Sequence, residues 1–96
     1  MEPLKNAQIR ALKARAQLLD ATLKLGKEGV SEKFIAALDD ALSRRELVKV
    51  KFDHFKEEKK ELSPQLAEKT NSYLIMRVGN VAVLFRAKPA APETGD

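Results

Sequence analysis

Apolar residues recur along this chain at two different periods, and the switching between them lays out the elements. Over residues 3–19, Ile9, Leu12, Ala16 and Leu19 return every three or four positions, which predicts an amphipathic helix. Pro3 suits its first position, where the missing N–H would be unpaired anyway. Lys5, Lys13 and Gln17 lie off the apolar stripe, with Arg10 at its margin. Residues 22–25 form a short apolar strand, followed by Gly26-Lys27-Glu28-Gly29. Ser31 is then placed to cap a second helix by accepting from its first free amides. Phe34, Ile35, Leu38, Ala41, Leu42 and Arg45 trace its stripe, and Glu32, Asp39 and Asp40 its outer face.

Residues 47–52 alternate with period two. Val48, Val50 and Phe52 are expected in the core, with Lys49 and Lys51 on the opposite face. A third helix is expected from near Glu57, with Leu62, Leu66 and Ala67 at helical spacing and a bend at Pro64. A start at Pro64 with Ser63 as cap is the alternative. Residues 73–78 and 81–86 read as two strands joined by the hairpin turn Gly79-Asn80. Both are almost continuously apolar, so both of their faces should be covered. Helices that cross over between parallel strands would cover one face, and the first helix part of the other. The order is α-β-α-β-α-β-β, an α/β fold in one domain at 1–88, with a disordered tail at 89–96.

Composition narrows the class. A chain of 96 residues with 44% hydrophobic and 33% charged residues fits one soluble domain. No stretch reaches the ~20 apolar residues of a membrane span, and the N-terminus lacks the layout of a signal peptide. The absence of cysteine excludes disulfides and thiolate metal sites. A cytoplasmic location and a monomer are the default expectations. The net charge is +4, and the basic surplus falls on residues 1–30, 44–52 and 63–88, while 31–43 and 53–62 are acidic. That asymmetry favours a polyanionic partner.

Catalytic chemistry finds no support. His54 is the single histidine, Asp39 and Asp40 point about 100° apart on a helix, and no serine has a base nearby in the pattern. No catalytic residue, metal site or cofactor is expected, so the protein is read as a non-enzyme. The four Phe and one Tyr fall mostly on apolar faces, so an aromatic platform for bases should not dominate. A DNA-binding helix-turn-helix is disfavoured because strands separate the helices. The glycine loop remains. Its two glycines can approach a ligand closely, the following helix start offers unpaired amides, and Lys27 adds a full positive charge. A loop of this form clamps a nucleic-acid backbone in one class of RNA-binding modules.

The chain resembles the CRM domain in its small stand-alone bacterial form, the YhbY-like proteins, without gaps from Leu4 to Arg86. The resemblance rests on Gln8, Leu12, Ala16 and Leu19, then Gly26-Lys27-x-Gly29, then Ile35, Asp39, Ala41 and Leu42. It continues in Arg45-Glu46-Leu47-x-Lys49-Val50-Lys51 and Leu66-Ala67-Glu68-Lys69-Thr70, and closes with Gly79 and Val83-Leu84-x-Arg86. It implies a four-stranded mixed sheet with three helices, similar to the C-terminal domain of a translation initiation factor. It also implies RNA binding through the GxxG loop and association with precursors of the large ribosomal subunit. Plant relatives carry the domain in intron-splicing factors. The matched positions implied to meet RNA are Gly26, Lys27, Gly29, Lys49, Lys51 and Arg86, with Lys13 and Lys24 as further candidates. Glu28 stands where family members commonly carry asparagine or another neutral residue. Asn80, Ala7 and Ile9 stand where basic residues are frequent, and Arg10, Arg15 and Lys24 offer compensation. The alternative is a protein-interaction module docking on a ribosomal protein or assembly factor, which the acidic second helix would suit.

Overall fold

In the computed structural model, which describes residues 3–87, the chain runs α1 (Asn6–Gln17), β1 (Leu23–Leu25), α2 (Glu32–Arg45) and β2 (Leu47–Phe52). A 3-10 turn (Lys56–Glu58) leads into α3 (Lys59–Lys69), followed by β3 (Tyr73–Val78) and β4 (Val81–Phe85). The four strands form one sheet in the order β1-β2-β4-β3. β1 and β2 are parallel, while β4 is antiparallel to both of its neighbours. The expected α/β class, element order and mixed sheet are all present. The tail expected at 89–96 lies outside the described residues.

Each sheet face has its own core. Val48, Val50, Phe52, Leu25, Ala82 and Leu84 meet Leu38 and Leu42 of α2 and Leu66 of α3. On the other face Leu47, Val83 and Ile75 meet Leu12 and Ala16 of α1. β4 is therefore covered on both sides, as a continuous apolar strand requires, whereas β3, expected to be covered likewise, is left exposed at its end, where Val78 is 60% accessible.

Three expectations change in detail. α1 begins at Asn6, not Pro3, because Lys5 keeps an extended backbone and its N–H donates to Gln8 Oε1 at 2.8 Å. The helix also stops at Gln17, so Leu19 leaves the stripe and is 37% exposed. In α2, Arg45 is exposed rather than part of the apolar face. Pro64 sits inside α3, preceded by the 3-10 turn. Beside it the buried Ser63 hydroxyl donates to the Lys59 carbonyl at 2.6 Å.

The strand directions gather three connections at one edge of the sheet. β1, β2 and β3 all point their carboxyl ends there, delivering residues 26–29, 53–55 and 79–80 side by side. Backbone hydrogen bonds tie them together: Asp53 and His54 donate to the Leu25 carbonyl, at 3.1 and 3.2 Å, and Phe52 donates to that of Asn80 at 2.7 Å.

Candidate nucleic-acid interface

Gly26-Lys27-Glu28-Gly29 closes as a tight turn, with the Gly29 N–H donating to the Gly26 carbonyl at 3.0 Å. Ser31 then caps α2 as expected, accepting from the Phe34 amide at 3.1 Å. Among the described residues no hydrogen bond uses the amides of Lys27 or Glu28. Successive free amides beside a helix start make a concavity suited to an anion.

The two glycines are needed for different reasons. Gly29 has φ +72°, and a Cβ there would stand 3.2 Å from the Phe55 ring. Gly26 has neither constraint, since a Cβ would meet nothing within 4 Å. The fold requires Gly29 and tolerates a side chain at Gly26. Gly29→Ala is accordingly expected to destabilise the domain by about 1–2 kcal/mol, and Gly26→Ala to leave the thermal midpoint unchanged while weakening any ligand that approaches the turn. Melting curves and a binding isotherm on both variants check this pair.

A cleft of about 460 Å³ opens at the turn, lined by Lys24, Lys27 and Lys33 together with Gly26, Gly29 and Ser31. Lys24 stands in register beside Lys51 across the parallel β1–β2 pair. Parallel neighbours in register project to the same face, so two ammonium groups lie side by side on the sheet surface facing away from α2 and α3. Lys13, Lys24, Lys27, Lys33 and Lys51 are all exposed and make no ion pair among the described residues. Glu28, also exposed, is the acid within the turn.

Lys49 is half-buried and differently engaged, with its Nζ donating to the Leu19 carbonyl at 2.9 Å. It borders a shallow hollow with Gln17, Met76, Val78, Val81 and Val83. Lys13 lies one turn before Gln17 on α1 and is exposed.

Arg86 has another occupation. Its guanidinium donates to Asp39 Oδ1 at 2.6 Å, to the Asp39 carbonyl at 2.9 Å, to Ser43 Oγ at 2.8 Å and to the Thr70 carbonyl at 2.8 Å. It ties the end of β4 to α2 and to the close of α3, and we read it as structural rather than as a contact for RNA. Asp39 and Asp40 are also spoken for, paired with Arg86 and Arg44 respectively. That leaves less free acid on α2 than the sequence suggests.

Two residues escape the sequence reading. Lys33 sits in an acidic segment, yet its place in the first turn of α2 brings it to the cleft. Phe55 takes a left-handed backbone at φ 59° and stays 39% exposed, although the Phe residues are expected mostly on apolar faces. That conformation costs a non-glycine residue about 1–2 kcal/mol. Among the described residues no group of three or more His, Asp or Glu could hold a metal ion. No described helix is long and apolar enough to cross a membrane.

The family model described as the CRS1 / YhbY (CRM) domain matches residues 4–86. The chain is 32% identical over 84 residues to "Probable RNA-binding protein YqeI" of Bacillus subtilis, covering 86% of this chain and 88% of that protein. It is 30% identical over 92 residues to an "RNA-binding protein" of Haemophilus influenzae, covering 95% and 93% respectively. Among solved structures, the hypothetical protein SAV1595 from Staphylococcus aureus superposes with a TM-score of 0.77 at 35% identity. That match covers 95% of this chain and 96% of the other.

Proposed function

The chain belongs to the CRS1/YhbY (CRM) domain family, and from that premise we propose that it is a non-catalytic, cytoplasmic RNA-binding protein acting in assembly of the large ribosomal subunit. The RNA backbone enters at the Gly26–Gly29 turn, where free amides and Lys27 receive a phosphate. Lys24 and Lys51 extend the track along the sheet, Lys33 borders it at the helix start, and Lys13 and Lys49 lie further along the same face. The observation that carries this reading is the concentration of unpaired lysines around a turn whose amides are also free. A folded protein gains nothing from such crowding of like charge, and a polyanion neutralises it.

Crosslinking of the protein to RNA in cells, with sequencing and gradient fractionation, tests the reading. Reads concentrated on precursors of large-subunit ribosomal RNA are expected. Reads spread in proportion to RNA abundance would remove the ribosomal part. Association with ribosomal particles that survives nuclease would put a protein contact in place of the RNA.

A further inference from the structure

Phe55 is the most exposed aromatic ring among the described residues, and it lies against the glycine turn. Several constraints hold it there. Asp53 and His54 both donate to the Leu25 carbonyl, fixing the chain as it leaves β2, and Glu58 donates to the Phe55 carbonyl at 3.0 Å. Between these anchors Phe55 is held at φ 59° and ψ 35°, a left-handed conformation rarely adopted by an aromatic residue. The tip of its ring, at Cε2 and Cζ, reaches the space where a Gly29 side chain would be. Strained backbone retained at the rim of a ligand turn is a reason to look for a ligand contact.

Resting on the reading of this turn as an RNA-backbone clamp, we propose that Phe55 is a stacking surface for one unpaired base. The RNA recognised here is then single-stranded at the turn. A nucleotide whose phosphate is seated at the Lys27 and Glu28 amides carries its base a few ångströms away, and the Phe55 ring lies against Gly29 of the same turn. A base in a duplex stays between its own neighbours and has no face to offer. A single stacked base is compatible with the scarcity of aromatics elsewhere, because backbone contacts supply the remaining affinity. The competing role, a hydrophobic cover over Gly29, would be filled equally well by an aliphatic side chain. The two roles therefore separate on substitution.

The chain contains no tryptophan, so Phe55→Trp introduces a single indole as a local reporter. Oligouridine of about 10 nucleotides and a blunt RNA duplex of equal length serve as probes. Quenching of the indole by the single strand and not by the duplex is expected. Phe55→Leu is expected to lower single-strand affinity roughly tenfold while keeping the parent's salt dependence, which reports the lysine contacts. Unchanged single-strand affinity in Phe55→Leu would overturn the proposal and leave salt-dependent RNA binding standing. Should the tryptophan variant fold poorly, the leucine variant decides alone. If the parent protein binds neither probe with any dependence on salt, the RNA reading of the turn fails, and the stacking role with it.

Discussion

Replacing Arg86 with alanine is expected to lower the melting temperature by about 10 °C, from a loss of about 2 kcal/mol in a domain of this size. The side chain ends in four hydrogen bonds, to Asp39 Oδ1, the Asp39 carbonyl, Ser43 Oγ and the Thr70 carbonyl. Asp39 is more than half exposed and regains water easily when the guanidinium leaves, so the ion pair itself contributes little. The loss comes mainly from the Thr70 carbonyl, which closes α3 at a part-buried position. Arg86→Lys should recover only a minority of the stability, because one ammonium cannot reach acceptors on two helices in the plane that a guanidinium spans. Differential scanning calorimetry measures both variants. RNA affinity, taken well below the new midpoint, should match the parent. A small thermal shift combined with a large affinity loss would return Arg86 to the RNA surface.

The second large effect has opposite signs in stability and binding. Lys24 and Lys51 stand in register on neighbouring strands, where like charges destabilise a sheet. Lys51→Ala alone should therefore raise the melting temperature by a few degrees or leave it unchanged. The triple substitution of Lys24, Lys27 and Lys51 by alanine removes three phosphate contacts under the proposed reading. The slope of log affinity against log salt should then fall by about two, equivalent to a hundredfold larger affinity loss at about 0.1 M salt than at 1 M. Glu28→Gln should move affinity upward, since it removes the acid at the same turn. Filter binding across a salt series reads all of these variants. A parent slope preserved in the triple variant would place the RNA elsewhere on the molecule.

The fold was legible in the sequence because its determinants are local. Alternation in 47–52 identifies a strand with one lysine face, Gly79-Asn80 a hairpin, and Ser31 a cap, whatever the rest of the chain does. The end of α1 was less legible. Leu19 continues a helical spacing, but the helix stops two residues earlier, and its carbonyl becomes the acceptor for Lys49. Arg86 shows a different limit. Its acceptors lie 16, 43 and 47 residues away, and no periodicity or turn signal reports that three elements converge on one side chain. In the candidate site, the glycine turn and most of the lysines can be named from residue type and spacing. Phe55 and Lys33 cannot, because each is brought to the turn by the packing of a neighbouring connection or helix.

The strand order β1-β2-β4-β3 places the last of the four strands to be synthesised in the interior of the sheet, between β2 and β3. A nascent polypeptide emerging from its N-terminus therefore has β1 and β2 available but lacks the strand that joins β2 to β3. Cooperative closure must wait until β4 clears the exit tunnel, and a product truncated before β4 exposes two incomplete apolar faces. Such a fragment carries the exposed apolar surface and unpaired strand edges that make incomplete domains prone to aggregate.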